Sequence, residues 1–161
     1  MHYRIAALLS IAAFSAAPLP AAAGPLSEYV WSHRPLLLFA DAADAPALLR
    51  QREILAPHRD GLRDRAVPVI IVSGDRVEID GAPSEISADR LRQRYDAPMG
   101  GFSAVLIGKD SGVKLTRTEP VSADALFALI DAMPMRRREL RERSQNQNPN
   151  PNESQRRADE G

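Results

Sequence analysis

The fold is decided by residues 100–118, which read GGFSAVLIG (100–108), KDSG (109–112) and VKLTRT (113–118). The first part is a mainly apolar run, typical of a strand that is covered on both faces. The second part has the Asp, Ser and Gly residues of a tight turn, and the third alternates apolar with polar residues. The stretch therefore predicts a hairpin in which one strand is buried and the other is half exposed.

Two further buried strands are predicted before the hairpin. Residues 36–39 are four consecutive large apolar side chains, and residues 67–72 are apolar throughout. Pro68 has no N–H to donate to a β-ladder, so we expect its strand to lie at a sheet edge or to begin at the proline. Residues 76–80 alternate in polarity, which allows a short additional strand.

Three helices are predicted, over residues 44–56, 87–95 and 122–133, and each begins at an Asp or Ser that can act as an N-cap. Pro57 ends the first helix, and the third carries a clear apolar stripe. With right-handed crossovers, the order of elements predicts an α/β fold, a four-stranded mixed sheet of order 2-1-3-4 with helices on both faces. In that order the strand that contains Pro68 is an edge strand, where proline is tolerated.

The composition limits the chemistry that the chain can perform. The 161 residues include no cysteine, which excludes disulfides, thiolate metal ligands and thiol redox reactions. The 21 acidic and 21 basic residues balance, so the net charge gives no reason to expect a nucleic-acid partner. A phosphate-binding loop at Gly108 and Lys109 would need different residues at the positions of Ser103 and Asp110. We therefore expect no cofactor.

The N-terminal residues have the three parts of a secretory signal. Arg4 provides a basic start, residues 5–17 are apolar apart from two serines, and Ala21 and Ala23 provide the small side chains that a signal peptidase reads. The apolar run is shorter than the roughly 20 residues that span a bilayer, which disfavours a membrane anchor. We therefore predict a signal peptide over residues 1–23, a periplasmic or secreted location, and no transmembrane segment after cleavage.

The remainder of the chain divides into a domain and a tail. Residues 24–140 contain all the predicted strands and helices. Residues 141–161 are rich in Gln, Asn, Pro and charged side chains, and they contain no large apolar residue. Such a composition cannot bury enough surface to offset the entropy lost on ordering, so we predict a disordered tail.

Several blocks between about residues 26 and 140 carry a resemblance to a known family. They are Trp31 with RPLLLF (34–39), GGF (100–102), LIGKD (106–110) with VKL (113–115), and DAMPMRR (131–137). On these blocks the chain resembles an uncharacterised bacterial family, domain-of-unknown-function family 4174, and the order of its elements is that of the thioredoxin fold. The resemblance implies export, a thioredoxin-like fold and no established activity.

The chain departs from thioredoxins at the positions of their redox pair. The resemblance places this pair at the start of the first helix, at about residues 43–46, which here read Ala-Asp-Ala-Pro. These positions hold no thiol, and a fold does not carry a function once its reactive site is missing. The resemblance therefore implies a redox scaffold without redox chemistry.

Three aspartates are candidate ligand-binding residues. Asp41 and Asp44 follow the first buried strand, and Asp75 follows the second. The carboxyl ends of strands are where α/β sheets tend to bind ligands, so these side chains could form an acidic mouth. Alternatively, Asp44 caps the first helix and the other two are solvated loop residues.

Three consecutive arginines, Arg136, Arg137 and Arg138, are candidate partner-binding residues. They open a basic run that could contact an anionic lipid, a polysaccharide or a protein. Interleaved glutamates dilute the charge, and a solvated helix with i, i+4 ion pairs is the alternative. Trp31, the single tryptophan, is predicted to be a packing anchor, and the two histidines of the domain have no metal-ligand spacing.

These observations favour an exported, non-catalytic thioredoxin-like domain that binds an unknown protein or a small ligand. Two alternatives stay open: an enzyme of unknown reaction that uses the three aspartates, and an envelope accessory protein that acts through its basic tail. The enzyme requires the aspartates to converge in a pocket, whereas aspartates that point apart into solvent argue against it.

Overall fold

The computed structural model describes residues 24–97 and 99–147. A mixed sheet forms the middle layer, and its strands are β1 (Leu36–Ala40), β2 (Val69–Ser73), β3 (Arg76–Ile79), β4 (Ala82–Ser84), β5 (Ser103–Ile107) and β6 (Val113–Arg117). The helices are α1 (Pro46–Leu55), α2 (Arg59–Asp64), α3 (Ala88–Tyr95), α4 (Ala123–Asp131) and α5 (Pro134–Gln147).

The centre of the sheet has the predicted strand order. Strand β1 pairs in parallel with β2 and antiparallel with β5, and β6 completes the hairpin with β5. The order β2-β1-β5-β6 confirms the predicted 2-1-3-4 arrangement and the thioredoxin-like α/β class. The predicted number of four strands is wrong, because the sheet has six. The hairpin β3–β4 extends it beyond β2, so the full order is β4-β3-β2-β1-β5-β6.

The added hairpin makes β2 an interior strand, so the edge position predicted for the strand of Pro68 is wrong. The alternative, a strand that begins at the proline, is correct, because β2 starts at Val69. The carbonyl of Pro68 accepts a hydrogen bond of 2.9 Å from the backbone N–H of Leu36. The carbonyl of Pro68 thus accepts a hydrogen bond just before β2 begins, at a position where the β-ladder does not require an N–H from the proline.

Strand β1 divides the core into two layers because its side chains alternate between the faces of the sheet. Leu36 and Leu38 pack in a cluster with α1, α2 and α4, whereas Leu37 and Phe39 pack in a second cluster with α3. All four are almost completely buried, and each contributes about 1.5–3 kcal/mol of hydrophobic stabilisation. Helices therefore cover both faces of the sheet, as predicted.

Two of the three predicted N-caps are present. Oγ of Ser87 accepts a hydrogen bond from the first turn of α3, and Oγ of Ser122 accepts one from the first turn of α4, each at 3.3 Å. The cap predicted at Asp44 is wrong, because α1 is preceded by Ala45 and no side chain bonds to its first turn. The need for a cap is smaller there, since Pro46 at the first helical position has no N–H to satisfy.

The boundary predicted between domain and tail does not coincide with the structure. Residues 141–147 form the last turns of α5, although the sequence predicts disorder there. Helix α5 has no apolar stripe, and Arg136 is its one buried residue. No helix in the described ranges has both the length and the apolar character needed to cross a membrane. The predicted signal peptide (1–23) and the rest of the tail (148–161) lie outside the described residues.

Trp31 is not the predicted packing anchor, because 68 % of the residue is exposed. Its backbone N–H donates a hydrogen bond of 2.6 Å to the carbonyl of Lys109. Its φ of 65° is in the left-handed region, which large side chains rarely adopt. The backbone is therefore held in place while the indole ring faces solvent.

Candidate functional site

The three candidate aspartates lie on the surface of the protein. Asp41, Asp44 and Asp75 are all exposed near the carboxyl ends of β1 and β2. Oδ1 of Asp41 accepts a hydrogen bond of 2.8 Å from the backbone N–H of Gly100, so this carboxylate tethers the loop before β5. Within residues 24–97 and 99–147, no three acidic, His or Cys side chains are grouped to hold a metal ion. All three carboxylates are thus accessible to solvent, and none of them lines the cleft described below.

The three candidate arginines differ in their surroundings. Arg136 is only 1 % exposed, and it forms ion pairs with Asp64 and Asp131. Arg137 and Arg138 are exposed. A partner can therefore reach Arg137 and Arg138, whereas Arg136 is buried and its guanidinium forms ion pairs within the protein.

Arg136 belongs to an ion network that joins α5 to the end of the sheet where β1 begins. At its centre is Glu139, whose Oε1 lies 2.8 Å from Nη2 of Arg34 and 2.7 Å from Nζ of Lys109. The term ion network refers below to eight residues, which are Arg34, Arg65, Lys109, Arg136 and Arg143 with Asp64, Asp131 and Glu139.

The ion network lowers the pKa of two of its carboxylates, those of Glu139 and Asp64. Partial burial of Glu139 disfavours its charge, but hydrogen bonds from Arg34 and Lys109 outweigh this effect and lower its pKa to about 2. The pKa of Asp64 is also lowered, because its burial is outweighed by hydrogen bonds from two arginines of α5. A general acid or base needs a pKa near the operating pH, so these two groups suit a structural role rather than catalysis.

A cleft of about 710 Å³ opens between the α1–α2 segment and the strands β2 and β3. This volume lies within the roughly 300–1,000 Å³ typical of pockets that bind small ligands. The floor of the cleft is apolar and includes Leu38, Leu55, Leu62, Val67, Val69 and Ile71. The polar and charged side chains that line it are Tyr29, His33, Arg52, Arg59, Arg63, Glu78 and Asp80.

One continuous helical face forms a wall of the cleft. Helix α1 is followed directly by a 3₁₀ turn at Ala56–His58 and then by α2, so the chain keeps turning in the same sense. The first helix is predicted to end at Pro57, so the sequence does not predict this wall. The spacing of the wall residues nevertheless indicates a continuous helical face. The wall residues recur at intervals of one, three or four, as one helical face requires; they are Arg52, Leu55, Ala56, Arg59, Leu62 and Arg63.

Not every hydrogen-bond donor of the cleft has an acceptor within the described residues. Arg52 pairs with Glu78 (Nη2 to Oε2, 3.1 Å), and Arg63 pairs with Asp60 at 2.9 Å. Arg59, in contrast, pairs with no carboxylate in the part of the chain that the structure describes. Nε of Arg52 is buried and has no acceptor there. The cleft therefore combines an apolar floor with the exposed guanidinium of Arg59, whereas the buried Nε of Arg52 is closed to solvent.

Fold and surface together define a class of protein. It is a thioredoxin-like α/β domain without cysteine, with an ion network at one end of its sheet and a cleft beside β2. The chain belongs to the family described as domain of unknown function (DUF4174), whose model matches residues 25–139.

Comparison with solved structures finds weak likenesses. Thioredoxin peroxidase I of Plasmodium yoelii is 19 % identical, with a TM-score of 0.47, over 66 % of this chain and 76 % of that chain. Plasmodium yoelii Prx1a, modified at its N-terminus, is 17 % identical, with a TM-score of 0.45, over 65 % of this chain and 75 % of that chain. No curated protein matches the sequence significantly. The fold class of this chain accordingly follows from its own strand order and pairing.

Proposed function

We propose that this protein is an exported, non-catalytic thioredoxin-like domain that binds a small ligand in the cleft. One observation carries the proposal: a cleft of about 710 Å³ with an apolar floor, lined also by polar and charged side chains, has the usual form of a ligand site. The absence of cysteine supports recognition rather than thiol chemistry.

The alternatives have less support. An enzyme built on the three aspartates needs them to converge, and all three are exposed. An accessory protein that acts through its basic tail can use Arg137 and Arg138, but Arg136 is engaged in ion pairs inside the protein. We therefore assign the binding function to the cleft.

A bulky substitution in the cleft should block ligand binding. Ala56 lines the cleft and is exposed, so a large side chain there narrows the opening without disturbing the core. We expect Ala56→Trp to weaken the binding of cleft ligands by about tenfold, equivalent to about 1.4 kcal/mol. A ligand-observed NMR screen of small apolar and amphipathic molecules supplies the ligands, and titration calorimetry measures their affinities.

Leu49→Trp is the matched control for this substitution. Leu49 is an exposed residue of α1 that does not line the cleft, so the substitution should leave the affinities unchanged. The proposal is refuted if no molecule binds, or if every molecule that binds is insensitive to Ala56→Trp.

Export predicts a defined mature N terminus. When the full chain is expressed in a bacterium with two membranes, we expect N-terminal sequencing of the periplasmic or secreted protein to begin at Gly24. Ala23→Leu should block this processing, because signal peptidase requires a small residue before the cleavage site. Ala22→Leu should be processed normally, since the peptidase does not read that position. Unprocessed wild-type protein confined to the cytoplasm would contradict the proposed export.

A further inference from the structure

We infer that a second surface of the protein, at the end of the sheet where β1 begins, binds an anionic lipid membrane. Trp31 is the apolar anchor of this contact, and Arg137, Arg138 and Arg141 of α5 supply its positive charge. These four residues are called the end surface below. The inference goes beyond the proposed function: the cleft binds the ligand, and the end surface places the exported domain at a membrane.

Helix α5 presents one side to the rest of the domain and the other side to solvent. Arg136, Glu139 and Arg143 lie on the inner side, because each forms ion pairs with residues outside α5. At 3.6 residues per turn, three exposed arginines project from the outer side, and they are Arg137, Arg138 and Arg141. Within residues 24–97 and 99–147, none of these three pairs with a carboxylate. They are therefore available to an anionic partner.

Trp31 lies at the same end of the sheet as α5. Its backbone N–H donates to the carbonyl of Lys109, and Nζ of Lys109 lies 2.7 Å from Oε1 of Glu139 in α5. Lys109 therefore joins the loop of Trp31 to the helix. The positive φ of Trp31 is unfavourable for a large side chain, and burial does not compensate for it, because the residue is exposed. Strained backbone of this kind is a common feature of functional sites.

The charge of this end is positive although the whole chain is neutral. The ion network holds five basic and three acidic side chains, and the three outer arginines of α5 add to this surplus. Three further exposed carboxylates, which reduce the surplus but do not cancel it, are those of Glu28, Asp80 and Glu142. The exposed aspartates at the carboxyl ends of β1 and β2 lie at the opposite end. An anionic surface therefore attracts the end where β1 begins.

The combination of an indole with cations favours a membrane over a soluble polyanion. An indole has an apolar ring and a polar N–H, and it prefers the boundary between lipid headgroups and acyl chains. Arginines close to anionic headgroups add electrostatic attraction. Leu140, which follows Glu139 on α5, is a further exposed apolar side chain at this end. A soluble polyanion would pair with the arginines but would leave both apolar side chains in water.

Trp31 is the single tryptophan, so its fluorescence reports the contact directly. The processed protein, which begins at Gly24, is mixed at low ionic strength with vesicles of phosphatidylcholine alone or of phosphatidylcholine and phosphatidylglycerol in about equal parts. We expect the anionic vesicles to shift the emission of Trp31 to shorter wavelength and to bind the protein about tenfold more tightly in co-sedimentation. Added salt should weaken this binding, because it screens exposed charges.

A triple variant tests the cations of the end surface, and it combines Arg137→Gln, Arg138→Gln and Arg141→Gln. It should bind anionic vesicles about tenfold more weakly than wild type and unfold at the same urea concentration, because the ion network is intact. The matched control removes three exposed arginines from α1, β3 and α3, and it combines Arg50→Gln, Arg76→Gln and Arg90→Gln. Both variants have the same net charge, so a difference between them reports position; the control should keep most of the wild-type affinity.

Trp31→Asn tests the apolar anchor. Asn tolerates a positive φ, so the substitution removes the indole and keeps the backbone of the loop. It should weaken binding to anionic vesicles by about tenfold in co-sedimentation. Leu49→Asn is the matched control, because it removes an exposed apolar side chain of α1 that is not part of the end surface, and it should leave the binding unchanged.

Four results would overturn the inference. The first two are equal binding to the two kinds of vesicle and equal losses from the two triple variants. The third is binding to vesicles without any change in the emission of Trp31, which would place the contact elsewhere on the protein. The fourth is binding to soluble heparin but to no vesicle, which would assign the arginines to a soluble polyanion. Each of these results leaves the proposed ligand site in the cleft untouched, since the ligand screen and Ala56→Trp test that site separately.

Discussion

Replacing Glu139 with Gln should lower the free energy of unfolding by about 3 kcal/mol. Glu139 is the carboxylate that faces both Arg34 and Lys109 in the ion network, and Arg34 is almost completely buried. The substitution keeps the size of the side chain but removes its charge, so the buried guanidinium of Arg34 loses its counter-charge. Urea unfolding at neutral pH, followed by circular dichroism, measures the difference between the two proteins.

The same difference should depend on pH. The folded protein lowers the pKa of Glu139 from its usual 4.5 to about 2. The ionic contribution is therefore complete above the unfolded-state pKa and is lost as the pH falls from 4.5 towards 2. Wild type and Glu139→Gln should approach equal stability at the acidic end of this window. A difference that stays constant from neutral pH down to that end would contradict an ionic origin.

Two further variants separate charge from packing. Glu142→Gln is the matched control, since Glu142 is an exposed residue of the same helix, and it should change the free energy of unfolding by less than about 0.5 kcal/mol. Glu139→Leu combined with Arg34→Leu should recover part of the lost stability, because the buried guanidinium of Arg34 is no longer left without a counter-charge, although Lys109 still loses its partner. A double variant no more stable than Glu139→Gln would assign the loss to packing.

The centre of the fold can be predicted because it depends on local patterns. The apolar run at 36–39 indicates a strand covered on both faces, and β1 does separate two core layers. Ser87 and Ser122 are recognisable as N-caps because a cap needs only a side-chain oxygen close in sequence to the N–H that it binds. The handedness of crossovers then leaves few possible orders for the four central strands.

Strand β3 matches the short strand that the alternation over 76–80 allows, but the turn after it and strand β4 escape prediction, although the turn carries a strong signal. Asp80 and Gly81 both have positive φ, 50° and 88°, as a two-residue turn between paired strands requires. Asp-Gly is a favoured pair for such turns, but a strand predicted over 76–80 places Asp80 inside the strand. Strand β4 is short and contains Pro83, so its own residues give no sign of a strand.

The ion network cannot be predicted from local patterns because its partners are distant in sequence. Arg34 and Glu139 are 105 positions apart. A basic run on a helix suggests i, i+4 pairs with its own neighbours, since these are the partners that sequence spacing shows. The structure instead directs Arg136 into the protein, where it meets Asp64 and Asp131. Only the packing of α5 against the domain brings these groups together.

Gln51 is an uncharged side chain whose hydrogen-bond partner is also distant in sequence, so local patterns do not predict it. It is a buried residue of α1, and its amide binds the backbone of Val121 twice. Nε2 donates to the carbonyl at 2.9 Å, and Oε1 accepts from the N–H at 2.6 Å. Val121 lies between β6 and α4, so one side chain of α1 fixes how the chain enters α4.

Gln51→Leu should therefore lower the free energy of unfolding by about 2 kcal/mol, because Leu fills a similar volume but leaves both groups of Val121 without this partner. Gln93→Leu, at an exposed position of α3, is the matched control and should cost less than about 0.5 kcal/mol. Equal stability of these two variants in urea unfolding would contradict the role of the two hydrogen bonds.

Gln51→Glu distinguishes the two hydrogen bonds from each other. An ionised carboxylate can still accept from the N–H of Val121, but it cannot donate to the carbonyl, and burial disfavours its charge. The pKa of this new carboxyl should be raised in the folded protein, so the variant should gain stability relative to wild type as the pH falls from neutral into mild acid. The protonated carboxyl then donates as the amide does. A deficit that does not change over this range would mean that the donated bond contributes little, and that the accepted bond alone places the loop before α4.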